Sequence, residues 1–222
     1  MATPGTMLHS GHVNSEKTYQ LTASGRFAAD RLIILGNIGE TLSEERELAH
    51  ASGVSLQTAF GDYHSFLIEF LGESFVCKSI DILNKYVETA LEALVERGDY
   101  TFVKRSDGTR KIDAQQWRKD LRRLLDIRDE LHWHIEALAV IRNAITHNHG
   151  YLKDALKWEW FRDTLADLPF LDASSGRIVF LERSGLVVAH MVMYVILEHE
   201  VVLIRRYKQL ETKPYNFPVR SK

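Results

Sequence analysis

The chain is short of the features that would make its chemistry easy to name. It has one cysteine, Cys77, in 222 residues. A single thiol excludes an internal disulfide and a thiolate metal cluster. Between Val76 and Lys78 in a helical pattern, it reads as a small core hydrophobe. No apolar run approaches the roughly 20 residues of a membrane span; the longest, Leu186 to Leu197, is interrupted by His190. The opening "MATPGTMLHS" has no charged stretch followed by an apolar one, so no signal peptide is expected, and a cytoplasmic protein without a membrane partner is. Neither charge sign dominates: 28 basic residues stand against 30 acidic ones, leaving −2 and no global drive toward nucleic acid or anionic lipid. There is no P-loop, no G-x-G-x-x-G, no G-x-S-x-G and no His-Glu-x-x-His.

What is present is a helical rhythm. With 45% hydrophobic and 26% charged residues the composition is that of a globular chain, long enough to bury a core and most simply one domain. Residues 1–24 are rich in Ser, Thr, Gly and His with little periodicity, and read as a flexible N-terminal arm. From Phe27, Leu32, Leu35, Ile38 and Leu42 recur at helical steps, with Ser43 as an N-cap for a continuation or a new helix. A long helix follows from about Ser55 to Arg97, striped by Val76, Ile80, Leu83, Val87, Ala90 and Leu94 and stopped by Gly98. Asp107-Gly108, flanked by β-prone residues, signals a small hairpin.

Asp113 to His147 forms a second major helix or two collinear segments, stopped by Gly150. A shorter helix spans 152–167 and ends before Pro169; a brief strand lies in "ASSGRIVFLERSGL". Val187 to Leu210 is the last helix, apolar nearly all round at first and so placed centrally. Residues 211–222, with Pro214 and Pro218, form a tail. The fold class is all-α: an antiparallel four- to five-helix bundle over 25–210, with a core from 55 and one or two short β excursions.

The informative stretch is "IRNAITHNHG", Ile141 to Gly150. At about 100° per residue, Arg142 projects within about 40° of Leu138, inside the stripe that also holds Leu124, Leu131, Ile135 and Ile145. A guanidinium there needs an anion, because it cannot shed its proton. The anion can be an acid of another helix or a ligand phosphate, which the planar fork suits. Glu136 lies on another face; Glu130 and Glu69 are the candidate acids. His147 falls about 140° from Arg142, and His149 about 20° away if the helix persisted. A fixed cation with a group that titrates near neutrality is what cleavage of a phosphodiester by its own 2′-hydroxyl requires. The same residues also suit an internal ion pair and a histidine favoured by the helix dipole.

"RNAITH", Arg142 to His147, resembles the R-x4–6-H signature of HEPN domains, down to the asparagine after the arginine. The similarity extends over about 55–210: a long bundle helix with the motif at its end, a glycine, and a hydrophobic helix closing the domain. It implies a metal-independent endoribonuclease without cofactor, leaving 2′,3′-cyclic phosphate and 5′-hydroxyl ends. It further implies a homodimer in which two motifs build one cleft, in a toxin–antitoxin or phage-defence setting. Carried over, Arg142 stabilises the phosphorane, Asn143 orients the site and His147 is the acid/base, with His149 fitting the longer spacing. Tyr151, two residues after His149, stands where some HEPN toxins receive AMP from a partner nucleotidyltransferase; an interfacial aromatic is its other reading. A non-catalytic HEPN-like dimer binding nucleotide or a protein partner is the alternative function.

Two further groups complete the expectations. Between Lys104 and Arg128 there are nine basic residues against four acids, and Lys119, Arg122, Arg123 and Arg128 are the candidate RNA contacts. A solvated helix face is their simpler reading. His132, His134 and Glu136 cluster in sequence, but the two histidines diverge on a helix. Only one Glu-x-x-His, at Glu47 and His50, occurs where a di-iron bundle needs two, so no metal is expected.

Overall fold

The computed structural model describes residues 18–51, 57–58, 61–127, 131–152, 154–168, 170–181 and 184–217. The protein is mostly helical. Helix α1 runs Ala23–Ala51, α2 Tyr63–Glu96, α3 Ala114–Leu125, α4 His132–Asn148, α5 Glu159–Ala166 and α6 Ser184–Arg206, with a 3-10 turn at Ala155–Lys157. Strands β1 (Thr18–Leu21) and β6 (Lys213–Asn216) form an antiparallel ribbon that pairs Tyr19 with Tyr215. The pairs β2 (Gln57–Thr58) with β3 (Gly61–Asp62), and β4 (Leu171–Asp172) with β5 (Val179–Phe180), are two-residue ladders.

The core is a layer of α1, α2 and α6. The stripe read from the sequence, Val76, Ile80, Leu83, Val87, Ala90 and Leu94, is buried, and packs with Ala28 and Leu32 of α1 and Val188, Val192, Val195 and Ile196 of α6. Phe75 wedges the three helices together. A Cβ on Gly39 of α1 would sit 2.7 Å from its ring, and one on Gly185 of α6 2.6 Å. The glycine that weakens α1 in isolation is therefore the space that α2 enters. Helix directions follow from the contacts. Gly25 lies against Glu200 and Gly36 against Leu186, so α1 and α6 are antiparallel. Phe75 meets Gly185 and Tyr86 meets His199, so α2 and α6 run the same way. An antiparallel bundle throughout was expected; the segment 97–183 instead carries the chain back before α6 begins, as in bundles with a long crossover.

Several boundaries move for identifiable reasons. The arm ends earlier than residue 24. Thr18–Leu21 is strand, and Thr22 caps α1, its hydroxyl accepting from the Gly25 N–H at 3.1 Å. Residues 1–17 lie outside the described residues. The 211–222 tail includes strand β6. The backbone of α1 continues through Ser43, so that residue is no cap. Helix α2 starts at Tyr63, after β2 and β3, rather than at Ser55. It ends as expected, with Gly98 at φ +78 and the Asp99 N–H on the Leu94 carbonyl. Around Asp107-Gly108 the chain makes an isolated bridge, Lys104 with Arg110, closed by Gly108 at φ +81.

The expected second major helix is two helices that fold back on each other. Asp113 caps α3 by accepting from the Gln116 N–H, and Asp126 ends it in the left-handed region at φ 54. Collinear, Arg118 and Glu136 would lie about 27 Å apart at ~1.5 Å per residue; they are joined at 3.0 Å. Helix α6, apolar enough by length and composition to cross a membrane (mean hydropathy 1.8), packs as a core helix on one face and leaves Tyr194 and Val201 exposed on the other. Its placement is therefore less enclosed than the all-round apolar pattern implied.

Candidate functional site

Helix α4 packs against α2 in the opposite sense, and its last two turns meet a polar row on α2. Glu69, Glu73, Cys77 and Asp81 follow at four-residue steps and so share one face. Arg142 donates Nη2 to Asp81 Oδ1 at 3.0 Å and Nη1 to its neighbour Asn143 Oδ1 at 3.2 Å. Its Nε is buried without a partner. The guanidinium is thus at the rim of the α2–α4 seam (28% exposed), not among the leucines of the stripe. The anion it needed is Asp81, which the sequence did not single out. Of the acids that were singled out, Glu69 takes Arg177 at 2.6 Å, and Glu130 lies outside the described residues.

Between the two arginines sit Cys77 and Glu73. Cys77 is half-buried against Thr146 rather than a core residue, and burial pushes its thiol up. Thr146 also donates to the Arg142 carbonyl at 2.8 Å. Burial first, and the neighbouring Glu69 second, raise the Glu73 carboxyl; Arg177 opposes them. Two guanidiniums therefore face three carboxylates along this edge.

The histidines complete the helix end. Asn143 and His147 are exposed, His147 in the last turn of α4. His149 is not helical; it takes the left-handed conformation at φ 51, Gly150 follows at φ 81, and the Gly150 N–H closes on the Ala144 carbonyl at 3.0 Å. Glycine is required at Gly150 by that φ, and the Arg177 side chain lies across it. Tyr151 is exposed and its backbone bridges that of Arg177. No direct hydrogen bond joins either imidazole to Arg142 among the described residues.

The other end of α4 is built differently. Arg118 of α3 binds Glu136 of α4 through Nε–Oε1 and Nη2–Oε2, both 3.0 Å, and donates Nη1 to Asn84 Oδ1 of α2 at 2.6 Å. Both charges are buried. Beside them a cavity of about 20 Å³, room for about one water, is lined by Arg118, Arg122, His132, Glu136 and His199 among others. His199 is buried with neither ring nitrogen bonded. Burial, assisted by Arg122, holds both His132 and His199 down at about 4. This cluster was not anticipated as a unit, because its members come from four helices with no shared spacing.

The expected RNA contacts divide. Lys119 and Arg123 are exposed, Arg123 holding Asp120 at 3.2 Å. Arg122 turns toward the cavity, and Arg128 lies outside the described residues. The patch belongs to the first turns of α4, not to its motif-bearing end. Compared with family models, with curated proteins and with solved structures, the chain finds no match in any of the three.

Proposed function

We propose that the chain is a metal-independent endoribonuclease of HEPN type, acting as a homodimer whose two motifs share one cleft. The observation that carries the reading is the state of Arg142: a partly exposed guanidinium, held by Asp81 and Asn143, on the same helix end as exposed His147 and His149. In the reaction the 2′-oxygen bonds to phosphorus and the bond to the 5′-oxygen breaks. One imidazole accepts the 2′-hydroxyl proton; an imidazolium gives one to the leaving 5′-oxygen. His147 serves one of these steps and the partner protomer's motif the other. Arg142 neutralises the phosphoryl oxygens as charge develops. An antitoxin or a nucleotidyltransferase acting at Tyr151 fits the same toxin or defence setting.

The test is cleavage of RNA in EDTA by wild type, Arg142→Ala, His147→Ala and His149→Ala. Cleavage should survive EDTA and be lost in Arg142→Ala and in His147→Ala. Persistence in Arg142→Ala, or abolition by EDTA, sinks the proposal. The Asp81 ion pair favours a second reading: a non-catalytic dimer that binds nucleotide or a protein partner, with Arg142 already neutralised as a structural tie. Stable dimers with nucleotide affinity and no cleavage of any RNA would select it.

A further inference from the structure

Three of the four tryptophans gather at one place on the surface. His132 and Trp133 open α4; Trp158 and Trp160 enter α5. Ring centroids are 5.0 Å apart for His132 and Trp133, 5.5 Å for Trp133 and Trp160, and 6.1 Å for Trp158 and Trp160, the last pair nearly parallel at 12°. Phe161 anchors the row edge-on from the core, 5.6 Å from Trp160. The two outer tryptophans stay wet: Trp133 is 55% exposed and Trp158 46%. Indoles are normally covered on folding, so a row of them with Trp133 and Trp158 left in water is a candidate binding surface.

The charge beside the row is asymmetric. On one flank α3 presents exposed Lys119 and Arg123, while Arg122 turns to the cavity that His132 also lines. On the other, α5 carries Glu159 and Asp163 with Arg162 between them. Of the two flanks α3, with exposed Lys119 and Arg123, is the more cationic, so an anionic polymer is drawn to that side. Exposed aromatic faces beside cations suit single-stranded nucleic acid, whose bases stack on the rings while its phosphates meet the cations. A duplex hides its base faces and cannot use the row.

We propose that Trp133, Trp158 and Trp160 with His132 form a stacking platform for single-stranded RNA, whose backbone lies along Lys119 and Arg123. This rests on the ribonuclease reading for the choice of RNA and extends it by assigning where the strand is held. Trp133, Val140 and His147 stand at seven-residue steps and share a side of α4 within about 40°. From Trp133 to His147 is about 21 Å of helix at ~1.5 Å per residue. That is about six nucleotides at the ~3.4 Å spacing of a stacked strand. The platform therefore grips the substrate away from the bond that is cut, on the side of the helix where His147 stands.

The experiment uses the full chain and oligouridine 2′-O-methylated throughout, which lacks the nucleophile and cannot be cleaved. Binding is read by tryptophan fluorescence quenching and by anisotropy of the labelled strand. Wild type should bind the single strand and ignore the matched duplex. Trp133→Ala and Trp158→Ala should each weaken binding about tenfold, from the loss of one stacked base. Trp133→Phe keeps a ring and should restore most of it, separating stacking from misfolding. Lys119→Gln should lower the salt slope by about 0.7. Binding that is insensitive to both tryptophans, or equal for single strand and duplex, overturns the platform. No binding of the strand by wild type also overturns it, and leaves the surface to a protein partner. Failure of the ribonuclease reading is a different result: tryptophan-dependent binding with no cleavage of unmodified RNA.

Discussion

Helix α4 carries an arginine–carboxylate contact at each end, and the two differ in almost everything but chemistry. At its start Glu136 meets Arg118, side chains 6% and 9% exposed, with Asn84 taking a third hydrogen bond. Near its finish Arg142 meets Asp81, side chains 28% and 47% exposed, through one bond. The first pair is bidentate and buried, so each charge depends on the other to remain in the fold. The second is single and wet, so water can replace either partner at little cost. Only the second has a cation that an incoming anion can claim. The difference separates a tie that organises three helices from a group available for chemistry.

The contrast can be broken most directly at Glu136. Glu136→Ala leaves Arg118 buried and short of its carboxylate, and should cost about 3–5 kcal/mol of unfolding free energy, read by chemical denaturation. A loss below about 1 kcal/mol would place that pair with the surface ones. Arg142→Ala should reverse the pattern. On the proposed ribonuclease reading RNA cleavage should fall about 10²- to 10³-fold, while stability changes by no more than about 1 kcal/mol. A melting temperature depressed as far as that of Glu136→Ala would make Arg142 a structural tie.

Acid should act on the buried end. His132 and His199 are held at about 4 in the fold, against an ordinary 6.5. Below 6.5 the unfolded chain takes up protons that the fold refuses, so their contribution to stability is complete above pH 6.5 and drains away as pH falls toward 4. Melting temperatures across that window should decline, and His199→Leu, which removes two unbonded buried nitrogens, should flatten the decline without destabilising at pH 7. An unchanged slope in His199→Leu would remove His199 from the account. The smallest effect belongs to Asp81→Ala, under about 1 kcal/mol in denaturation; a larger loss would show that the exposed pair holds α4 to α2 after all.

Parts of this contrast were visible in the residues. The α2 stripe and the Gly98 stop are local, and local rules of periodicity and capping located them. The need of Arg142 for an anion followed from its place near Leu138. Its identity did not, because Asp81 is 61 residues away and has no spacing to betray it. The break between α3 and α4 was missed for a related reason. Apolar residues recur on both sides of Asp126, and nothing in that recurrence records the left-handed turn that folds the second helix back. The tryptophans were in plain sight, but Trp133 joins Trp158 and Trp160 only after α5 docks on α4.

By itself, then, the sequence determined the helical class, the end of α2, the stop at Gly150 and the set of chemically unusual residues, since periodicity, caps and side-chain type act within a few residues. Tertiary structure alone decided which carboxylate each arginine receives, that α2 and α6 run the same way, and that one end of α4 is buried while the other is open. Those outcomes depend on which surfaces meet, and burial, which sets the strength of every charge in the site, exists only once they have met.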